Sequence, residues 1–355
     1  MYPFFGYLGV LNSMMLLLPW GSCEISNKTG AERTRHEISV PAMGVEFRVV
    51  YYAAPSANDE IDRAIKNRLS ELENIFSDYK PTSELSKFCN ASPQRNPQRV
   101  SRELWELSCL SQTLSVQTDG AFDVTVGNLS QVWRMARKRN RLPSKEKIGE
   151  ATALTGYRDL EIHTGNRLRL LKANMKLDFG GIGKGYAADQ LICLLRRHKI
   201  GSAMIDAGGD LSVSNPPPGK KHWLIQIEPQ LGSAQDATPK MLKLSNAAVA
   251  TSGDLHQSLT VDGKKYSHII DPRTGEATTS RSQVTVIAPN ATLADAYASA
   301  ISVMGVSKGM AMLQLQNGCE CLILAGSSSP DVRSETFFTR GWPQFIEDTL
   351  PNPSR

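Results

Sequence analysis

Hydrophobic positions along this chain recur with two different periods, and the switches between them outline the fold. Ile38, Val40, Val45, Phe47 and Val49 fall on alternate residues either side of Pro41-Ala-Met-Gly44, which predicts two strand pieces joined by a turn. Ile61, Ile65, Leu69, Leu72 and Phe76 are spaced by three and four, which predicts an amphipathic helix over 58–76 with its apolar stripe in the core. Leu104, Leu107, Leu110 and Leu114 repeat that spacing and predict a helix over 101–116 that ends before Asp119-Gly120. Ala188, Leu191, Ile192 and Leu195 predict a third helix, for which Gly201 suits the C-terminal stop. Strands are expected at 203–206, 223–228 and 284–288, and a last pair of helices at 293–304 and 307–316. Ser214-Asn-Pro-Pro-Pro-Gly-Lys-Lys221 and the stretch from Gly232 to Pro239 read as exposed loops. Helices and strands alternate irregularly without an internal repeat, so the expected class is α+β, or mixed α/β.

Composition narrows the function more than the fold. The 355 residues carry 40 Lys plus Arg against 35 Asp plus Glu, a net charge of +5 spread evenly, which gives no support to a nucleic-acid partner. The densest basic run, Arg134-Met-Ala-Arg-Lys-Arg-Asn-Arg141, reads as a solvated helix end or loop. Six cysteines include no C-x-x-C pair, and Cys319-Glu-Cys321 is too close for a strain-free disulfide. Residues 1–22 are apolar and free of Lys, Arg, Asp and Glu, with Met14-Met-Leu-Leu-Leu18 at their centre. They read as an export signal, interrupted too often to make a good membrane span. Leu18-Pro-Trp-Gly-Ser-Cys23 admits lipid anchoring through Cys23, although Trp20 stands where a small aliphatic residue is expected. The expected division is a signal over 1–22, a linker over 23–35, a folded region over 36–348 long enough for one large domain or two lobes, and a disordered tail over 349–355.

Candidate chemistry centres on Lys176-Leu-Asp-Phe-Gly-Gly-Ile-Gly-Lys-Gly-Tyr-Ala-Ala-Asp189. An apolar run enters a glycine-dense turn and leaves as a helix, so free N–H groups would point at an anion there, with Lys184 adding a mobile charge. The spacing is neither a Walker A loop nor a Rossmann fingerprint, and a plain strand-to-helix connection is the competing reading. Ser267-His-Ile-Ile-Asp-Pro-Arg-Thr-Gly275 places an imidazole, a carboxylate and a guanidinium close together. His268 can act as a general base there, or Asp271 simply caps a turn beside a structural histidine. Asp295 and Ser299 lie one helical turn apart and can share a hard cation, whereas Thr292 followed by Asp295 also has the spacing of a capping box. Asp206-Ala-Gly-Gly-Asp210 and Ala250-Thr-Ser-Gly-Asp254 are either site walls or self-bonded turns. Tyr79 can stack on a ring or sit in the core.

Taken in order, Ala42-Met-Gly44, Ser77-Asp-Tyr79 with Ser83-Glu84, Gly120-Ala-Phe-Asp123, Asp178 to Gly185, Gly208-Gly-Asp210, Thr251-Ser-Gly-Asp254, Ser267 to Gly275 and Ala294-Asp295 resemble the ApbE-type FAD:protein FMN transferases. The resemblance spans roughly residues 36 to 325. It implies a fold of mixed and antiparallel sheets flanked by helices, with two lobes around an FAD cleft. It also implies an enzyme that splits the diphosphate of FAD with Mg²⁺, attaches FMN to a Thr or Ser of an acceptor protein and releases AMP. By position in the motifs, Gly181, Asp295 and Ser299 are the expected metal ligands. Met43, Tyr79, Ala121, Phe122, Asp123, Asp178, Lys184 and Ile269 are the expected FAD contacts, and His268 is expected to help the acceptor hydroxyl lose its proton. Ser299 and Val45 stand where the family usually has threonine, and Ala298 where some members carry a carboxylate. Serine keeps the oxygen ligand, whereas Val45 removes a polar contact. An FAD diphosphatase using water, or an exported flavin-binding protein without turnover, are the alternatives.

Overall fold

The computed structural model describes residues 33–227, 240–253, 258–326 and 334–347. The expected signal, Cys23, the loop from Gly232 to Pro239, Asp254 and the tail over 349–355 lie outside the described residues.

Eight strands form the main sheet, and their order across it follows their order along the chain. They are β1 (Thr34–Ala42), β2 (Val45–Ala53), β3 (Ala203–Ala207), β4 (Leu211–Val213), β5 (Ala247–Gly253), β6 (Arg281–Ala288), β7 (Glu320–Gly326) and β8 (Glu335–Phe338). Each neighbour is antiparallel, and no parallel pair occurs among the described residues. Helices fill the connections. Between β2 and β3 come α1 (Asn58–Phe76), α2 (Glu84–Asn90), α3 (Arg102–Gln117), α4 (Gly127–Arg139), α5 (Lys145–Ala153) and α6 (Gly183–Arg197), while α7 (Ala291–Met304) and α8 (Val306–Leu313) link β6 to β7. β1 opens at Thr34, just inside the segment expected as linker.

The two faces of the sheet bury different things, as the two-residue period of a strand requires. On β2, Phe47, Val49 and Tyr51 join the large core that includes α1, α3, α6 and α7. Val50 points the other way, into a smaller cluster with Trp223, Leu242 and Leu244. Those three belong to a small sheet of Trp223–Ile227, Lys240–Leu244 and Ile346–Glu347 that covers the back. A third cluster joins Leu129, Trp133 and Ala136 of α4 to Ile148 and Ala151 of α5 and to Ala277. The described residues gather into one compact unit.

The helical stripes emerge where their spacing puts them. α1 covers 58–76 and buries Ile61, Ile65, Leu69, Leu72 and Phe76; α3 buries Leu104, Leu107 and Leu114, with Leu110 half-buried against the same core. Two details differ. α6 ends at Arg197, before Gly201, and Lys199, with a left-handed φ of 61°, turns the chain so that the Ile200 N–H reaches back to the Leu195 carbonyl at 2.9 Å. Helices α2, α4 and α5 were not anticipated. Leu129, Trp133 and Ala136 do have helical spacing in α4, but the basic run beyond them hid it.

Candidate active site at two helix N-termini

The glycine turn delivers the chain into α6 beside the start of α7. A Cβ at position 185 would lie 2.2 Å from the Ala291 carbonyl oxygen, so only glycine lets the two helix ends come so close. Each helix then caps the other. Asp189, on α6, accepts hydrogen bonds from the first N–H groups of α7, Ala291 at 3.0 Å and Thr292 at 2.8 Å, and from the hydroxyls of Thr292 (2.5 Å) and Ser212 (3.0 Å). Asp295, on α7, accepts from the Gly185 N–H near the start of α6 at 3.2 Å. A carboxylate at a helix N-terminus completes its orphan donors and complements its dipole.

The capping-box reading of Thr292 and Asp295 therefore fails. The residue that caps α7 within its own chain segment is Asn290, whose side chain accepts from the Leu293 N–H at 2.9 Å. Thr292 lies inside the helix and turns to Asp189, which frees Asp295 to face α6.

This junction is electrostatically loaded. Burial, and then the charge of Asp210, push the Asp295 carboxyl up to about 7, while Lys184 and the Gly185 N–H oppose them. Burial would pull the Lys184 ammonium down, but Asp295, Asp210 and Asp206 hold it above the ordinary lysine value. Lys184 is ion-paired to the buried Asp210. The Asp206–Asp210 turn thus divides its two carboxylates. Asp206 bonds the turn itself, accepting from the Gly209 N–H at 2.8 Å, and Asp210 faces the site.

Three turns meet around the junction. A Cβ on Gly183 would stand 3.4 Å from the Met43 Cε, and one on Gly208 would stand 2.9 Å from Val45. The glycine turn, the β1–β2 turn and the β3–β4 turn are therefore in contact. Met43 adopts a left-handed φ of 51°, uncommon for a bulky side chain, and its N–H is tied to Glu73 Oε1 at 3.0 Å. Val45 packs against Gly208, where the family's polar residue was expected. Gly181 approaches α7, since a Cβ on it would meet Ser299 Oγ at 3.1 Å and the Phe122 ring at 3.6 Å.

Arg134 closes the opposite side. Its guanidinium pairs with Asp78 and, at 2.8 Å, with Asp178, and its Cζ lies 4.4 Å from the centroid of the Tyr79 ring. Asp178 also accepts from the Gly180 N–H at 2.7 Å, so one arginine clasps Tyr79 to the glycine turn. The basic run is consequently not all solvated. Nor is Tyr79 a core residue, being 74% exposed.

The remaining expected contacts are placed less openly. Ala121 and Phe122 are buried. Asp123 is buried with both oxygens engaged, by the Thr125 N–H and hydroxyl at 2.8 and 2.7 Å and the Tyr157 N–H at 2.8 Å. His268 is half-buried and Ile269 buried on a hairpin arm, paired through Ile270 and Ala277. Asp271 caps the hairpin turn, accepting from the Arg273 N–H at 3.0 Å and from its guanidinium at 2.7 and 2.8 Å. Trp133 of α4 fixes this hairpin by donating to the Gly275 carbonyl at 2.9 Å.

The family model described as the ApbE family matches residues 43–323. The chain belongs to the ApbE family. An FAD:protein FMN transferase of Vibrio cholerae is 31% identical over 292 residues, covering 80% of this chain and 86% of that protein. One of Treponema pallidum is 29% identical, covering 85% and 88%. Among solved structures, the flavin transferase ApbE of Vibrio cholerae superposes with a TM-score of 0.78 at 28% identity, over 88% of this chain and 99% of that one. The ApbE protein of Thermotoga maritima gives 0.77 at 30% identity, over 89% and 100%. The fold is thus that of ApbE flavin transferases, with helices and antiparallel sheet.

Two residues of this candidate site escaped the sequence. Asp189 ends the glycine motif but carries no signal beyond being the one acid on an apolar face. Arg134 was concealed by its basic neighbours, although its place in the helical phase, one residue from Trp133, sets it beside the core rather than in solvent.

Proposed function

We infer that this protein is an FAD:protein FMN transferase. The observation that carries the reading is the junction of α6 and α7 in a chain of this family. There the glycine turn, the Lys184–Asp210 pair and the buried Asp295 converge, with Ser299 one turn further along α7 and against Gly181. A diphosphate requires neutralised charge and in-line positioning more than a nucleophile from the enzyme, and this junction offers a cation, Lys184, held in place by Asp210. In the reaction, the oxygen of an acceptor Thr or Ser hydroxyl forms a bond to the phosphorus of the FMN half. The bond from that phosphorus to the bridging oxygen breaks, and AMP leaves with that oxygen. His268 takes the hydroxyl proton. Met43, Tyr79, Ala121, Phe122, Asp123, Asp178, Lys184 and Ile269 hold the flavin substrate, with Arg134 fixing Tyr79 and Asp178 in place.

The residues present fit Mg²⁺. Asp295, Ser299 and a backbone oxygen of Gly181 form an all-oxygen donor set, suited to a hard cation, and the raised proton affinity of Asp295 marks a carboxylate that a cation would relieve. Among the described residues no three His, Cys, Asp or Glu side chains are grouped to hold a metal. The protein would therefore supply few ligands and leave the rest to phosphates and water, as is usual for Mg²⁺. Bound there, Mg²⁺ supplies neutralisation of the diphosphate as it separates. The apolar residues 1–22 support export, and Cys23 supplies a position for a lipid anchor.

Intact-mass analysis of an Asp-Gly-x-x-Ser/Thr-Gly-Ala-Thr peptide fused to a carrier, incubated with the protein, FAD and Mg²⁺, tests this reading. A metal-dependent gain equal to FMN minus one water is expected. Free AMP and FMN without a gain would replace the transferase with a diphosphatase, and neither product would leave a flavin-binding protein.

A further inference from the structure

A groove of about 800 Å³ runs between α4 and α5, outside the junction described above. Its apolar lining includes Met135, Leu142 and Leu154, and Met135 is 45% exposed. Its charged lining is one-sided. Arg139, Arg141 and Lys147 face it against the single acid Glu150. All three cations are exposed, and among the described residues none of them is in an ion pair.

Helix chemistry accounts for only part of this charge. Arg139 ends α4, where a cation complements the helix dipole. Arg141 lies beyond that helix, and Lys147 lies in the first turn of α5, where a positive charge opposes the dipole. An apolar floor with an excess of unneutralised cations is complementary to an amphipathic anion.

Resting on the transferase reading, we propose that the α4–α5 groove docks an acidic, amphipathic segment of the acceptor protein. A protein substrate that offers one hydroxyl to the flavin must gain its affinity from contacts remote from that hydroxyl. The groove is suitably placed for this, because its two walls are the helices against which the His268 hairpin packs. Trp133 of α4 bonds Gly275, and a Cβ on Gly275 would collide with Thr152 and Ile148 of α5. Steering by exposed charge is screened by salt, so this docking weakens as ionic strength rises.

The test uses the full chain and its R139E/R141E/K147E variant. A fluorescein-labelled peptide alternating Leu with Asp or Glu, and a counterpart with Asn and Gln in place of the acids, are titrated by fluorescence anisotropy. The proposal expects the acidic peptide to bind, the neutral one to bind at least about tenfold more weakly, and the variant to lose the difference. No binding, or equal binding by wild type and variant, overturns it. In parallel, the flavinylation peptide on its carrier is flanked by the acidic segment. The variant should raise KM for this acceptor about tenfold, with kcat and AMP release to water unchanged. Acidic-peptide binding without any flavin transfer would refute the transferase reading and keep the groove. Transfer with the same KM in wild type and variant would keep the transferase and overturn the groove.

Discussion

The α6–α7 junction and the α4–α5 edge both concentrate charge, but they treat it in opposite ways. At the junction Asp189 has four donors, Lys184 is held by Asp210, and Asp295 is tied to the start of α6. At the edge, Arg139, Arg141 and Lys147 line a groove whose single lining acid is Glu150. Charges in the first region are fixed before any ligand arrives, which is what positioning a diphosphate for in-line attack requires. Those in the second are left for a partner. Arg134 stands between these regimes, since its own helix carries the unpaired cations while its guanidinium is locked by Asp78, Asp178 and the Tyr79 ring.

Substitutions should separate the two regions sharply. The largest effect is expected on turnover: Asp295→Ala should lower AMP release from FAD by roughly a hundredfold to a thousandfold, on the scale of losing one transition-state electrostatic contact, while flavin binding measured by fluorescence stays within a few-fold. Retention of wild-type AMP release would remove Asp295 from the site. Next in size is stability. Asp189→Ala strands the first donors of α7 in the dry core, and urea unfolding should show a loss of about 3 kcal/mol. Gly185→Ala should follow at about 1–3 kcal/mol, because its methyl group has no room beside the Ala291 carbonyl. Urea midpoints unchanged by either substitution would show that the reciprocal caps contribute nothing. Smallest of all, R139E/R141E/K147E should shift unfolding by less than about 0.5 kcal/mol. A large loss would mean those cations hold the fold and not a partner.

The sequence made the two regions unequally legible. The α1 stripe and the β1–β2 alternation appeared directly because each repeats one physical period over a whole element. The junction did not, because its bonds run between segments far apart in the chain: nothing near Asp189 shows that it reaches Ala291 and Thr292. Local spacing even pointed the wrong way at Thr292 and Asp295, where the pattern of a capping box is present but Asn290 is the cap. Along α4, composition masked periodicity. A run of arginines looks solvated until the helical phase separates Arg134, beside Trp133, from Arg139 at the exposed end. The family motifs located Met43, Tyr79, Gly181 and Ser299 without showing which of them touch.

The most direct test of the central claim, that the facing N-termini of α6 and α7 form the diphosphate-cleaving centre, is AMP release from FAD by wild type and Asp295→Asn. Both are assayed with and without Mg²⁺, with flavin binding measured on the same samples. The account predicts Mg²⁺-dependent AMP from wild type, none above buffer from the variant, and similar flavin affinity for both. Equal AMP release by the two proteins would place the chemistry elsewhere in the molecule.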